Sequence, residues 1–204
     1  MTRKDKKMTK PATYLTERFH LAVKYATFWH RHQVRKSTDL TYILHPLGVA
    51  SLVLEAGGNE DEAIAALLHD VPEDCGGQVM LEEIEALFGP RVAEIVAGCS
   101  DTLVEDRANK PDWRVRKQGH IDEIVNSSDK GLHLVTAADK LHNARAIVTD
   151  LQNQGPSVWA RFNAGQDDIV WYYDSMLDVL AQKSVSKSIL TPLASAIEVI
   201  RGKN

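Results

Sequence analysis

Apolar residues recur at every third or fourth position along almost the whole chain, and strict alternation of apolar and polar residues is scarce. A spacing of three and four is typical of amphipathic α-helices, whereas alternation is typical of half-buried strands. The pattern therefore predicts an all-α fold, a single-domain bundle of roughly eight to ten helices.

Capping and helix-breaking residues set the predicted limits of these helices. Pro46 falls in a first turn, Asn59 is a good N-cap and Pro90 opens a further helix. Pro72 should stop or kink the third helix around Asp70-Val71, because proline lacks an amide hydrogen and clashes with the preceding turn. The predicted helical segments are about Leu15 to His30, His45 to Gly57, Asn59 to Asp70, Met80 to Gly89, Pro90 to Ser100, Trp113 to Ser127, Gly131 to Gln154, and roughly two or three more beyond Gly155-Pro156.

Composition is that of an ordinary globular protein, with 204 residues, 44% hydrophobic and 25% charged. The basic, polar start of the chain predicts a disordered tail over residues 1–12, followed by one domain over residues 13–204. This start lacks the apolar run of a signal peptide, and no segment has the ~18 consecutive apolar residues that span a bilayer. We therefore expect a cytoplasmic protein with no membrane partner.

Charge and cysteine content narrow the function classes further. A formal net charge of −4 argues against a general nucleic-acid binder, which would normally be basic. The two cysteines, Cys75 and Cys99, are expected to be reduced thiols. The polar stretch "DTLVEDRANKPD" at 101–112 is expected to be a loop. The chain has no glycine-rich phosphate loop and no G-x-S-x-G nucleophile motif.

Four ionisable residues fall within otherwise apolar helical patterns. His45 begins the second helix, His69 and Asp70 end the third, and Asp139 lies among apolar residues of the long helix. Each alone is more often a cap, a satisfied core residue or a solvated group. Together, two imidazoles and two carboxylates from three helices match the nitrogen and oxygen ligands of Mn²⁺ or Fe²⁺, with Zn²⁺ as an alternative.

These residues also form motifs of a known family. "HP" at 45–46, "HD" at 69–70 and "ADKLHN" at 138–143 resemble the H…HD…D pattern of HD-domain metal-dependent phosphohydrolases. More narrowly, "RHQVRK", "ALLHDVPED" and "AADKLHNAR" resemble the hydrolase domain of the RelA/SpoT superfamily. The length is similar to that of the small alarmone hydrolases, including the metazoan Mesh1 type.

The resemblance implies a role for each matching residue. One Mn²⁺ per site, in preference to Fe²⁺ or Zn²⁺, would be bound by His45, His69, Asp70 and Asp139. Glu73 and Asp74 match the pair that positions and deprotonates the attacking water, and the break at Pro72 would turn them toward the open side of the metal. The residues that would contact the nucleotide are Arg35, Lys36, Asn143, Arg114, Lys117 and Tyr172, with Trp171 and Tyr173 as alternatives to Tyr172.

The reaction implied by the resemblance is hydrolysis of the 3′-pyrophosphate of a guanosine or adenosine alarmone, (p)ppGpp or (p)ppApp, with release of pyrophosphate. The expected partner is thus a small nucleotide. Two alternatives stay open: an HD nucleotide phosphohydrolase or phosphodiesterase of broader specificity, and a catalytically silent nucleotide sensor. The sequence leaves the base preference and the oligomeric state open.

Overall fold

A computed structural model describes residues 13–36, 38–100 and 111–202. Over these ranges the only β-type pairing is an isolated antiparallel bridge between Val34 and Thr41, so the all-α prediction is confirmed. The described helices are α1 (Glu17–Trp29), α2 (Leu44–Glu55), α3 (Glu60–Leu68), α4 (Val71–Cys75), α5 (Gly77–Phe88), α6 (Pro90–Cys99), α7 (Trp113–Asn126), α8 (Lys130–Gln154), a 3-10 helix (Gly155–Arg161), α9 (Gln166–Gln182) and α10 (Lys187–Ile200).

Local signals in the sequence account for several helix ends. The Asn59 side chain accepts the Glu62 amide at 3.0 Å, and the Glu62 carboxylate accepts the Asn59 amide at 2.8 Å. This capping box satisfies two donors that the first turn of α3 leaves without helical partners. At the junction of α5 and α6, Gly89 has φ 89°, a conformation that glycine adopts readily, and Pro90 then opens α6 as predicted.

The predicted break at Pro72 is present. Helix α3 ends at Leu68, and a separate short helix, α4, places Pro72 in its first turn, where a missing amide hydrogen costs nothing. The Asp74 amide donates to the Asp70 carbonyl at 3.0 Å as the first hydrogen bond of α4, so only His69 and Asp70 separate the two helices. His69 and Asp70 therefore lie in the junction between two helices and not inside one.

The core surrounds α8, which packs against α2, α3, α6, α9 and α10. Its central residues are buried on nearly every side, including Asp139 and Lys140. Helix α3 is similarly enclosed, since Ala63–Leu68 have no exposed surface. A helix segment buried on nearly every side belongs to the centre of a domain, so Asp139 and Lys140 lie in the interior of the bundle.

Some predictions on the chain need correction or lie outside the described residues. Helix α5 begins at Gly77 and not near Met80, because Gly76 and Gly77 adopt positive φ and turn the chain directly from α4 into α5. The proposed tail over residues 1–12 and most of the proposed loop at 101–112 fall outside the described ranges. Within them, no helix is both long and apolar enough to cross a membrane. Cys75 and Cys99 are free thiols.

Candidate metal centre and active site

The four residues proposed as metal ligands converge at the centre of the bundle. Nε2 of His45 lies 3.1 Å from Oδ1 of Asp139 and 3.4 Å from Oδ2 of Asp70. Nε2 of His69 lies 3.2 Å from Oδ2 of Asp70 and 3.6 Å from Oδ1 of Asp139. One atom each of His45, His69 and Asp70 fit within 4.8 Å of one another, and Asp139 approaches both imidazoles from α8. Four potential ligand atoms thus surround one small volume.

The imidazole of His69 is oriented for metal binding. Its Nδ1 lies 2.8 Å from the Ala66 carbonyl, which fixes the hydrogen on that nitrogen and leaves the lone pair of Nε2 facing the cluster. This Nε2 is buried and makes no well-directed hydrogen bond within the described residues, although carboxylate oxygens of Asp70 and Asp139 lie 3.2 and 3.6 Å away. A buried nitrogen of this kind is costly unless something else binds it, so the site fits a cation.

The two carboxylates are each held by neighbouring donors. Tyr42 donates its hydroxyl to Oδ2 of Asp70 at 2.6 Å. Asp139 accepts the Lys140 ammonium on Oδ2 at 2.7 Å and the Asn143 amide on Oδ1 at 2.6 Å. These donors fix the direction in which each carboxylate presents its oxygens, as outer partners of metal ligands commonly do.

The electrostatics of the cluster favour charged groups. Burial opposes ionisation of Asp70 and Asp139, but the imidazoles beside Asp70 and the Lys140 ammonium beside Asp139 hold the pKa of each carboxyl below its usual range. Burial likewise opposes protonation of His69, yet Asp70 and Asp139 raise its pKa to about 9. In the metal-free protein a proton on His69 therefore offsets part of the negative charge, and a bound cation would displace it.

A thiol near the cluster does not extend the ligand set. Cys99 lines the same cleft, but burial raises the pKa of its thiol to about 12. The thiolate is the form that binds metal, so burial disfavours Cys99 as a ligand, and its Sγ lies 3.8 Å from the Thr136 hydroxyl oxygen. The donors are thus two imidazoles and two carboxylates, a set suited to Mn²⁺, Fe²⁺ or Zn²⁺.

A cleft of about 190 Å³ opens beside the cluster, and Glu73 and Asp74 line it. They lie outside the ligand cluster, on α4. Gln33 donates its amide to Oδ2 of Asp74 at 2.8 Å, and Oε1 of Gln33 lies 2.7 Å from Nδ1 of the buried His30. Although Asp74 reaches solvent at the mouth of the cleft, desolvation and the nearby Asp70 raise its pKa.

The residues proposed to contact a nucleotide fall into two groups. Asn143 and Lys117 line the cleft. Arg35 donates to Oδ1 of Asn143 at 2.9 Å, and Lys36 lies 3.5 Å from Oδ1 of Asn163. These contacts place the Arg35–Lys36 segment beside the cleft wall that Asn143 forms.

Tyr172 and Arg114 make up the second group, and neither lines the cleft. Tyr172 is buried, and its hydroxyl lies 2.9 Å from Nδ1 of His120, which does line it. Arg114 pairs with Asp168 and stacks 3.5 Å from the centre of the Trp171 ring. Any direct contact of these two with a nucleotide stays a prediction.

The structure adds cleft residues that sequence reasoning did not assign to the site. Tyr42, His120 and Lys140 all line the cleft. Lys140 directly follows Asp139 in the chain. A lysine next to a proposed ligand within an apolar helical pattern could have been predicted from the sequence to lie near the site. His120 carries no local signal, because α7 reaches the cleft only through packing, whereas Tyr42 lies three positions before the proposed ligand His45.

Comparisons with known proteins agree with this geometry. The HD domain family model matches residues 22–170. The chain therefore belongs to the HD domain family.

Within that family, its relatives include the guanosine-3′,5′-bis(diphosphate) 3′-pyrophosphohydrolase MESH1 of Drosophila melanogaster, 36% identical over 153 residues that make up 74% of this chain and 78% of the relative. MESH1 of Xenopus tropicalis is 37% identical over 68% of this chain and 72% of its own. The fold matches the solved structure of a metazoan ortholog of SpoT that is described as hydrolysing ppGpp, with a TM-score of 0.73 and 30% identity, over 93% of this chain and 98% of that one.

Proposed function

We propose that this chain is a metal-dependent hydrolase that removes the 3′-pyrophosphate from (p)ppGpp or (p)ppApp and releases pyrophosphate. The observation that carries the proposal is the convergence of His45, His69, Asp70 and Asp139 beside a cleft lined by Glu73. It occurs in a chain related over most of its length to enzymes named for this reaction.

His45, His69, Asp70 and Asp139 would hold one Mn²⁺, with Fe²⁺ and Zn²⁺ as alternatives. Such an ion supplies a Lewis acid for a phosphoryl oxygen and lowers the pKa of bound water from ~15.7 toward ~7. The protein supplies the preset geometry: the Ala66 carbonyl orients His69, and Tyr42 and Lys140 orient the two carboxylates.

Glu73 and Asp74 would position the attacking water and accept its proton. Both line the cleft next to the ligand cluster. Gln33 holds Asp74 in place, and the raised pKa of Asp74 makes it a stronger proton acceptor than a solvated carboxylate. A positioned general base typically contributes about 10²–10⁴-fold to the rate.

Basic residues around the cleft would offset the charge of the polyphosphate. Lys117 and Lys140 line it, and Arg35 and Lys36 stand beside Asn143 and Asn163. Arg35 can stack on a base or grip a phosphate with its planar fork, which a lysine cannot do. A net charge of −4 favours a free nucleotide over a nucleic acid, and such a substrate is consistent with a cytoplasmic enzyme.

The deciding experiment measures the products formed from ppGpp and ppApp by Mn²⁺-loaded protein. We expect pyrophosphate together with GDP or ADP. Release of orthophosphate alone would instead indicate a broader nucleotide phosphohydrolase. Tight binding of ppGpp without cleavage would indicate a sensor and contradict the proposal.

A further inference from the structure

We propose that His142 is a positioning residue that fixes the tautomer and ring orientation of His45 and so increases the affinity of the site for its divalent cation. The inference rests on the proposed function, because it takes Nε2 of His45 to be a metal ligand. It concerns a residue that contacts the ligand His45 from the side away from the cluster.

The contact between the two imidazoles defines their hydrogen positions. Nδ1 of His45 and Nδ1 of His142 lie 2.9 Å apart, a hydrogen-bond distance, so one hydrogen lies between them. Nε2 of His45 faces the carboxylates of Asp70 and Asp139. A metal-binding Nε2 must offer its lone pair, which puts the hydrogen of neutral His45 on Nδ1. Nδ1 of His142 is then the acceptor.

The two imidazole ligands would thus be held by equivalent means. The Ala66 carbonyl accepts from Nδ1 of His69 at 2.8 Å. His142 would accept the Nδ1 hydrogen of His45 in the same way. It also packs against the His45 ring, with the ring centres 4.8 Å apart. An acceptor behind a metal-binding histidine fixes its tautomer and increases its basicity.

Gly48 independently supports the inference, because the fold leaves space for the His142 ring at this position. It lies inside α2, one turn after His45, where glycine is intrinsically less favourable than alanine. A Cβ atom at position 48 would collide with Cδ2 and Nε2 of His142. The absence of a side chain at position 48 therefore leaves room for the ring that contacts His45.

A matched pair of variants tests the proposal. In His142→Asn the amide can present an oxygen near the position of Nδ1, whereas His142→Leu has a similar size and no acceptor. We expect the Leu variant to bind Mn²⁺ about 10–100-fold more weakly than wild type, and the Asn variant to retain most of the affinity. Titration of free Mn²⁺ by electron paramagnetic resonance measures both, and the exposed His20→Leu serves as the control.

Gly48→Ala gives a second test that does not alter either histidine. Alanine favours the helix, so a merely structural role for this position predicts an unchanged or more stable protein. Displacement of the His142 ring predicts weaker Mn²⁺ binding, by the same order as in His142→Leu. This variant decides the matter if His142→Leu does not fold.

A spectroscopic measurement observes the hydrogen bond itself. In Zn²⁺-loaded wild-type protein with ¹⁵N-labelled histidine, we expect a scalar coupling across the hydrogen bond between Nδ1 of His45 and Nδ1 of His142. The coupling should be absent in Gly48→Ala and His142→Leu.

The outcomes separate this inference from the function on which it rests. If wild type binds Mn²⁺ and cleaves ppGpp, but His142→Leu and Gly48→Ala bind Mn²⁺ with unchanged affinity, His142 is not a positioning residue and the proposed function stands. If wild type shows no coupling, the inference also fails. If wild type binds neither Mn²⁺ nor Zn²⁺, both proposals fall together.

Discussion

Lys140 and Asp139 are neighbours in the chain, and both side chains are buried at the middle of α8, where they pair at 2.7 Å. Burial opposes the charge of Lys140, but the adjacent Asp139 raises its pKa well above the usual range. Buried ion pairs rarely add net stability compared with apolar residues of the same size. A positional role explains the pair better, since Lys140 occupies Oδ2 and leaves Oδ1 facing the two imidazoles.

Removing only the lysine should therefore be costly. We expect Lys140→Met to lower the free energy of unfolding by about 3–5 kcal/mol in metal-free protein, because Asp139 would remain as a buried charge without its ammonium partner. Urea unfolding at pH 7 measures the change. The exposed Lys187→Met is the matched control and should change little. A loss below about 1 kcal/mol for Lys140→Met would contradict the expected cost of leaving Asp139 buried without its ammonium partner.

The ligand and general-base assignments predict different losses for two carboxylates that line the same cleft. Asp139→Ala should abolish both Mn²⁺ binding and turnover, since it removes a ligand. Glu73→Gln should keep Mn²⁺ affinity and lose about 10²–10⁴-fold in kcat, since it removes only a proton acceptor or water contact. Mn²⁺ titration and pyrophosphate release, measured on the same preparations, check both. A fully active Glu73→Gln enzyme would remove Glu73 from the mechanism.

At the scale of the helix, Asp129 organises the start of α8. Its Oδ1 accepts the amides of Gly131 at 2.8 Å and Leu132 at 3.3 Å. Both carboxylate oxygens also receive the fork of Arg91, at 2.6 and 2.7 Å. The Arg91 hydrogen bonds hold the pKa of Asp129 below its usual range. One side chain thus caps the central helix and ties it to α6.

Loss of this cap should have a defined pH dependence. We expect Asp129→Ala to lower the free energy of unfolding by about 1–2 kcal/mol at pH 7. Because the folded pKa lies below the unfolded value of ~3.9, the contribution is fully present above that pH and is lost as the pH falls through the folded pKa. Urea unfolding across acid pH should show the gap between wild type and variant closing. The exposed Asp122→Ala is the control; a gap that widened in acid would contradict the assignment.

Helix ends were predictable where the signal lies within one turn of the chain. Asn59 caps α3 through a residue three positions away, and Pro72 breaks the helix through its own ring. The start of α5 was missed because it depends on the backbone angles of Gly76 and Gly77, which residue type permits but does not require.

The candidate site divides in the same way. Its four proposed ligands were found as a recurring motif, and the structure brings them together. The contacts that orient them were not predictable: Tyr42 reaches Asp70 across 28 positions and His142 reaches His45 across 97. Such contacts depend on how α2 packs against α8 and against the junction of α3 with α4, and no local preference of the chain specifies that packing.

For the whole molecule, the proposed cation would join three parts of the bundle: the start of α2, the junction of α3 with α4, and the middle of α8. These parts carry two carboxylates whose mutual repulsion the Lys140 ammonium and the imidazoles partly offset in metal-free protein. A divalent ion that binds all three in the folded state, and only some of them weakly in the unfolded state, must shift the folding equilibrium. Metal binding and global stability are therefore expected to be linked.

Mn²⁺ at about 100 times its dissociation constant should raise the free energy of unfolding by ~2.7 kcal/mol, and a chelator should reverse the gain. Thermal and urea unfolding with and without Mn²⁺ measure it. Glu73→Gln should keep the full increment because Glu73 lies outside the ligand cluster, whereas Asp70→Ala should lose it. An increment that survives in Asp70→Ala would place the ion elsewhere on the protein. Comparing the Mn²⁺-dependent increase in the free energy of unfolding among these variants therefore tests where the metal binds, without any catalytic assay.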